Sequence, residues 1–133
     1  MQFLIETDIL RDYLTHRSES PSVLRRALQA GSCYTTMYNA LELFAQAASA
    51  PERAAIKSML MAVRVLGFNA RTAEPFAELR SMHPDISERE MMVLGMARAS
   101  KLVVLTRTLH DRYAALGAVP VVSMPEEVPG NAQ

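Results

Sequence analysis

Residues 2–14, QFLIETDILRDYL, decide how the rest of the chain is read. Phe3, Leu4 and Ile5 are apolar without interruption, and Glu6, Thr7 and Asp8 follow at once. A run that is apolar on both faces suits the centre of a sheet covered from both sides. In an extended chain Glu6 and Asp8 would point the same way, and like charges so placed repel. Either the strand runs out into solvent, or the acids are gathered for a purpose such as holding a cation.

Further along, short apolar runs alternate with longer amphipathic ones. Strand chemistry recurs in SCYTT (32–36), KLVVLT (101–106) and VPVVS (119–123). Helical spacing predicts helices over 7–15, 20–31, 38–49, 50–67, 70–82, 86–100 and 109–116. Several carry their own punctuation: Ser20 and Pro21 before one, Pro51 and Glu52 opening another, Gly31, Gly67 and Gly117 closing three. Strands alternating with helices predict an α/β fold, three-layer α/β/α with a mainly parallel sheet. The expected organisation is one domain over 1–124 and a loose, Pro-rich tail over 125–133. Folds of this kind bind ligands beyond the C-terminal ends of their strands, which is where Glu6 and Asp8 fall.

Composition narrows the function. The 133 residues are 50% hydrophobic and 21% charged with a formal net charge of zero, so binding to a polyanion would need local basic patches. Cys33 is the only cysteine and sits in a strand-like segment, which predicts a buried small hydrophobe in a reducing cytoplasm. No run approaches the roughly 18 apolar residues of a membrane span, and the N-terminus does not read as a signal peptide. The expectation is a soluble, cytoplasmic protein. A P-loop enzyme is excluded because no Gly-rich loop precedes Lys-Ser/Thr. A phosphoacceptor signalling domain would want a late Lys where LVVLTRT supplies Arg.

Further acids fall at positions where such a fold could gather them. Glu42 follows the second strand, Glu90 lies early in the 86–100 helix, and Asp111 follows LVVLT. Each also has a local explanation. Ser87 and Glu90 fit a capping box. Asp8 could cap the helix that follows it, Asp111 suits a helix start, and Asn39, Glu42 and Gln46 look like a solvent-facing stripe. Thr7 and Thr106 bring hydroxyls to strand ends, where they could orient carboxylates, meet substrate or bond their own turns. Arg107 could meet a phosphate, and Arg11, Arg17, Arg25, Arg26, Arg98 and Arg112 could rim the site. His110 has no second His or Cys at zinc spacing and is given no role.

The order of these blocks is familiar. FLIETDILRDYL resembles the hLhDTNhLhDhh opening (h, apolar) of PIN-domain nucleases, in particular the VapC-type toxins of toxin–antitoxin pairs. CYTTMYNALELFAQA is similar to the family's second block, which carries one Glu. ISEREMMVLGMARASKLVVLTRTLHDRY is similar to its third block, and Glu90 lies 16 positions before Thr106, the family's spacing for the third acid. The resemblance spans residues 2 to 124. Glu6 and Glu90 stand where the family has Asp, and Thr108 stands where many members have Asp or Asn; Glu42, Asp8 and Asp111 fit the pattern.

The resemblance implies an endoribonuclease that uses Mg²⁺ or Mn²⁺ to hydrolyse RNA phosphodiester bonds. Glu6, Glu42 and Glu90 would be the metal ligands and, with Asp111, the catalytic set. Thr7, Thr106 and Arg107 would contact substrate, with Asp8 and Thr108 in support. It also implies a homodimer and a cognate antitoxin docked in a groove, for which the Met-rich 52–66 helix with Met91, Met92 and Met96 offers an adaptable surface. The two Asp-to-Glu exchanges and Thr108 admit an alternative: a PIN-fold RNA- or protein-binding module with weakened or lost catalysis.

Overall fold

A computed structural model describes residues 1–128. Five strands form one sheet, β1 (Gln2–Ile5), β2 (Ser32–Thr36), β3 (Arg64–Leu66), β4 (Val103–Leu105) and β5 (Val121–Val122), in the order β3-β2-β1-β4-β5. Every pairing is parallel, with Phe3 opposite both Cys33 and Val103. Helices α1 (Thr7–Thr15), α2 (Val23–Ala30), α3 (Met37–Gln46), α4 (Ala50–Ala62), α5 (Ala70–Met82), α6 (Glu88–Ser100) and α7 (His110–Leu116) supply the crossovers. The three-layer parallel α/β architecture expected from the sequence is the one observed.

Side-chain alternation along the strands divides the interior into two cores. Phe3, Ile5 and Leu105 face one side, where they pack with Ile9, Leu10 and Leu24 of α1 and α2. Leu4 and Val104 face the other, against Leu79 of α5 and Val93 and Leu94 of α6. On that side α5 and α6 approach so closely that a Cβ on Gly95 would lie 2.1 Å from the Phe76 ring, so no larger residue fits there. Cys33 is buried, and burial pushes its thiol pKa up to about 12, which suits the inert hydrophobe expected.

Three expectations change. The 50–67 helix stops at Ala62: Val63 turns extended, and Arg64–Leu66 add β3 to the edge of β2. Val63 and Val65 are β-branched and alternate, and the Arg64 guanidinium lies 5.9 Å from the Tyr34 ring centroid across the strand pair. The second helix begins later than 20, capped by Ser22. In the stretch expected to be loose, Pro125–Glu127 form a short 3₁₀ turn, Pro125 and Val128 are buried, and Arg26 pairs with Glu126. The rest of that predicted tail lies outside the described residues.

Candidate functional site: a carboxylate pair closed by an arginine

The site grows from the end of β1. The strand's last ladder contact is Glu6 N–H donating to the Leu105 carbonyl, after which the chain turns directly into α1 with Glu6 as N-cap. That turn answers the puzzle of the two acids: the chain is not extended between Glu6 and Asp8, so their side chains part. Asp8 accepts from Thr106 Oγ1 (2.9 Å) and from the backbone N–H groups of Arg107 (2.8 Å) and Thr108 (3.1 Å). It pins the β4–α7 turn to α1. Thr106, fully buried, also accepts from Leu109 N–H at 3.3 Å, so its hydroxyl serves that turn.

Glu6 has no solvent exposure, and its charge is met from four sides. Thr7 N–H (3.0 Å), Asn39 Nδ2 (2.6 Å) and an Arg89 terminal nitrogen (2.7 Å) donate to Oε1. The other Arg89 terminal nitrogen (2.8 Å) and the Tyr113 hydroxyl donate to Oε2. Glu42, projecting from α3, meets the same guanidinium: Arg89 Nε donates to one oxygen at 2.8 Å and a terminal nitrogen to the other at 2.9 Å. Thr7 Oγ1 donates to Glu42 at 2.7 Å while accepting from Asn39 at 2.9 Å. Asn39 is fixed in turn by a reciprocal capping box with Thr36 at the start of α3.

These contacts set the electrostatics. Burial alone would raise the Glu42 pKa, but hydrogen bonds from Arg89 and Thr7 and the charges of Arg89 and Arg11 outweigh it, and the net shift is downward. The Arg89 pKa moves up, held by its hydrogen bonds to Glu6 and Glu42 against the cost of desolvation. Burial, then the adjoining Glu6 charge, pushes the Tyr113 phenol up, so it stays protonated and donates.

The structure brings Glu6, Glu42 and Thr7 together, as the sequence led us to expect, but not Glu90 or Asp111. Glu90 accepts from Ser87 N–H (3.0 Å) and from Arg112 Nε (2.6 Å); the capping box takes the carboxylate expected to be a third metal ligand. Asp111 is fully solvent-exposed in the first turn of α7, where it meets His110 at 3.4 Å. Thr7 is buried and its hydroxyl donates to Glu42, the carboxylate-orienting role among those expected of it. Arg107 and Thr108 are exposed beside the site. Among the rim arginines, Arg11 bonds Gln46, Arg98 lies 3.8 Å from Glu78, and Arg112 is taken by Glu90.

Sequence reasoning missed three members of the cluster. Asn39 lies in the stripe that looks solvent-facing in sequence yet is fully buried, and its capping spacing from Thr36 is the available signal. Tyr113 carries no signal in the sequence beyond its place in a helix. Arg89 adjoins Glu90 in sequence, and nothing in the pattern says which of the two turns inward.

A divalent ion was the expected tenant of such a pocket, and the residues as placed do not fit one. All four oxygens of Glu6 and Glu42 accept from Arg89, and each carries further donors except one oxygen of Glu42. Among the described residues no group of three or more His, Cys, Asp or Glu side chains is arranged to hold a metal ion.

Comparison with known proteins decides the fold. VapBC2 from Rickettsia felis, solved bound to a promoter DNA fragment, superposes with a TM-score of 0.78 at 13% identity, covering 92% of this chain and 98% of that one. DNA-bound VapBC from Salmonella typhimurium gives 0.76 at 15% identity over 92% and 97%. A toxin–antitoxin complex from Klebsiella pneumoniae gives 0.70 at 21% identity over 94% and 98%. This is the PIN fold of VapC-type proteins. No family model matches the chain, and no curated protein matches it in sequence. The PIN fold thus persists here at low identity, around a centre closed by its own arginine. Among the described residues no helix is long and apolar enough to cross a membrane.

Proposed function

We propose that this chain is the toxin-type member of a two-protein pair, and that it binds RNA and an antitoxin-like partner through a PIN fold whose acidic centre, as folded, does not hydrolyse RNA. The observation that carries this is the Arg89 guanidinium seated on both Glu6 and Glu42. The partner reading is supported by the likeness, over nearly the whole chain, to VapBC and other toxin–antitoxin complexes. A groove of about 380 Å³ between α1, α3 and α4, lined by Leu14, Leu43 and Ile56 with Arg11 and Arg17 at its rim, suits an apolar segment that carries acidic residues. Of the methionines expected to form an adaptable surface, Met61 is bare at 89% exposure, whereas Met96 is buried and Met91 and Met92 pack against the second core. Met37 and Leu41, one turn apart on α3 and 55% and 61% exposed, give a second copy of the chain an apolar face for a homodimer.

RNA would be met by exposed arginines rather than by a net basic charge: Arg107 stands at the sheet's C-terminal edge, and Arg11 and Arg17 lie on α1 and just after it. Binding of this kind weakens with salt, because it releases counterions. The test is a mobility-shift titration of single-stranded RNA with wild-type protein and Arg107→Ala, run beside a cleavage assay with Mg²⁺ or Mn²⁺. The expected result is a salt-sensitive shift, weakened by Arg107→Ala, with the RNA intact. Metal-dependent cleavage by wild type that disappears in Glu42→Gln would overturn the non-hydrolytic reading.

That outcome is the second reading, a Mg²⁺- or Mn²⁺-dependent endoribonuclease. It is favoured by the meeting of Glu6 and Glu42 at the C-terminal rim of a parallel sheet, where hard cations would find oxygen ligands. It requires Arg89 to leave both carboxylates.

A further inference from the structure

The cation at the centre of this site is part of the chain. Glu6 and Glu42 bring two negative charges to one place, one fully buried and the other three-quarters buried. Taking two like charges out of water side by side is costly without a counter-charge. Arg89 supplies it through a planar fork that reaches both carboxylates at 2.7–2.9 Å. Its position in the chain makes this more telling. Arg89 lies in the first turn of α6, where the helix dipole favours anions and opposes a cation. The two acids, with the Tyr113 hydroxyl at 3.1 Å and the Tyr38 ring centroid at 5.9 Å, offset that opposition.

We infer that Arg89 is the resident cation of the acidic centre and excludes divalent ions from it. The inference deepens the non-hydrolytic reading of the same site and rests on it. Mg²⁺ binds oxygens at roughly 2.0–2.1 Å in near-octahedral geometry. The carboxylate edges it would use are those on which the guanidinium nitrogens already lie. Asn39, Tyr113 and the Thr7 N–H take further lone pairs of Glu6, so that carboxylate has no free side to offer. An ion added without displacement would also place two positive charges next to a third. Removing the arginine alone leaves two carboxylates and the Thr7 hydroxyl facing one space, with a quarter of the Arg89 side chain already open to solvent as an entry path.

The test needs no RNA. Wild type, Glu42→Gln, Arg89→Ala, and Arg89→Ala combined with Glu42→Gln are titrated with Mn²⁺ by calorimetry, with the free ion followed by its paramagnetic resonance, and melted with and without the ion. Wild type is expected to give no saturable heat and no shift in melting temperature. Arg89→Ala is expected to melt lower than wild type, to take up Mn²⁺ and to recover part of its melting temperature, and the double variant to show no uptake. Saturable Mn²⁺ uptake by wild type that Glu42→Gln abolishes would overturn the inference, as would a folded Arg89→Ala that takes up no Mn²⁺. Arg89→Met, which keeps the apolar stem, stands in if the alanine variant does not fold, and the wild-type titration is decisive against the inference in either case. Wild type that cleaves RNA yet takes up no Mn²⁺ sinks only the non-hydrolytic reading. Wild type that takes up Mn²⁺ and leaves RNA intact sinks only the role of Arg89.

Discussion

Arg89 and Glu90 are neighbours in the first turn of α6, and each makes an ion pair, but the two pairs live in different solvents. Arg89 reaches inward to a carboxylate with no exposure at all. Glu90 reaches outward to Arg112, which is half exposed. Identical distances would therefore carry unequal weight, because removing Arg89 strands a fully buried charge, whereas removing Glu90 leaves a half-exposed Arg112 that water can solvate. The largest effect expected anywhere in the molecule is thus Arg89→Met, with a loss of about 3–5 kcal/mol in urea denaturation, the range for breaking a buried pair from one side. Pairing it with Glu6→Gln should restore much of that loss, since the stranded charge goes too. A loss no larger than that of Glu90→Gln would show that Arg89 and Glu90 do not differ as argued.

Smaller effects follow as the groups removed carry less of the buried charge. Tyr113→Phe takes one donor from Glu6 and leaves the ring's packing, which should cost about 1.5–3 kcal/mol, the value of a hydrogen bond to a charged group. Asp8→Ala releases three donors of the β4–α7 turn. Because two of them are exposed backbone groups that water can satisfy, the expected cost is about 1–2 kcal/mol. Amide exchange should speed up at Arg107 and Thr108 with no change at Asn39. Exchange that rises equally at both places would mean that the turn and the Glu6 cluster are one unit rather than two.

The contrast also explains what could be read from the sequence. Apolar periodicity is a property of whole segments, so the parallel sheet, its covering helices and the placement of Glu6 and Glu42 at its rim were legible. β3 was not, because three residues set one position beyond a thirteen-residue helix give too short a run to separate from it. The site was legible only to the precision of a helical turn. Which way α6 faces decides between Arg89 and Glu90, and a one-residue rotation about that helix exchanges an inward cation for an inward acid. Ser87 settles it locally by claiming Glu90 for the capping box, a signal that was visible but competed with the family spacing. Asn39 shows the same limit. A capping amide can face solvent or core, and only the arrival of Glu6 from β1, far away in sequence, buries it.

The smallest effect, and the sharpest in pH, belongs to Glu90. Its hydrogen bonds from Arg112, opposed by partial burial and helped by Ser87, hold its pKa down from 4.5 to about 2. A carboxyl depressed by folding contributes stability that is present in full above its unfolded pKa, and that is lost as pH falls through the folded value. Glu90 should therefore contribute at neutral pH and lose its contribution between about 4.5 and 2. Glu42, also shifted downward, adds to the same acid limb. Denaturation of Glu90→Gln across this window should give a shallower decline than wild type, with the two curves converging at the acid end. Added salt should shrink the Glu90 difference, because Arg112 is half exposed, and leave the Arg89→Met difference nearly intact, because Glu6 is screened from the solution. If salt reduced both differences alike, the Arg89 cluster would be as solvated as the Glu90 pair, and the division between inner and outer charges drawn at the first turn of α6 would fail.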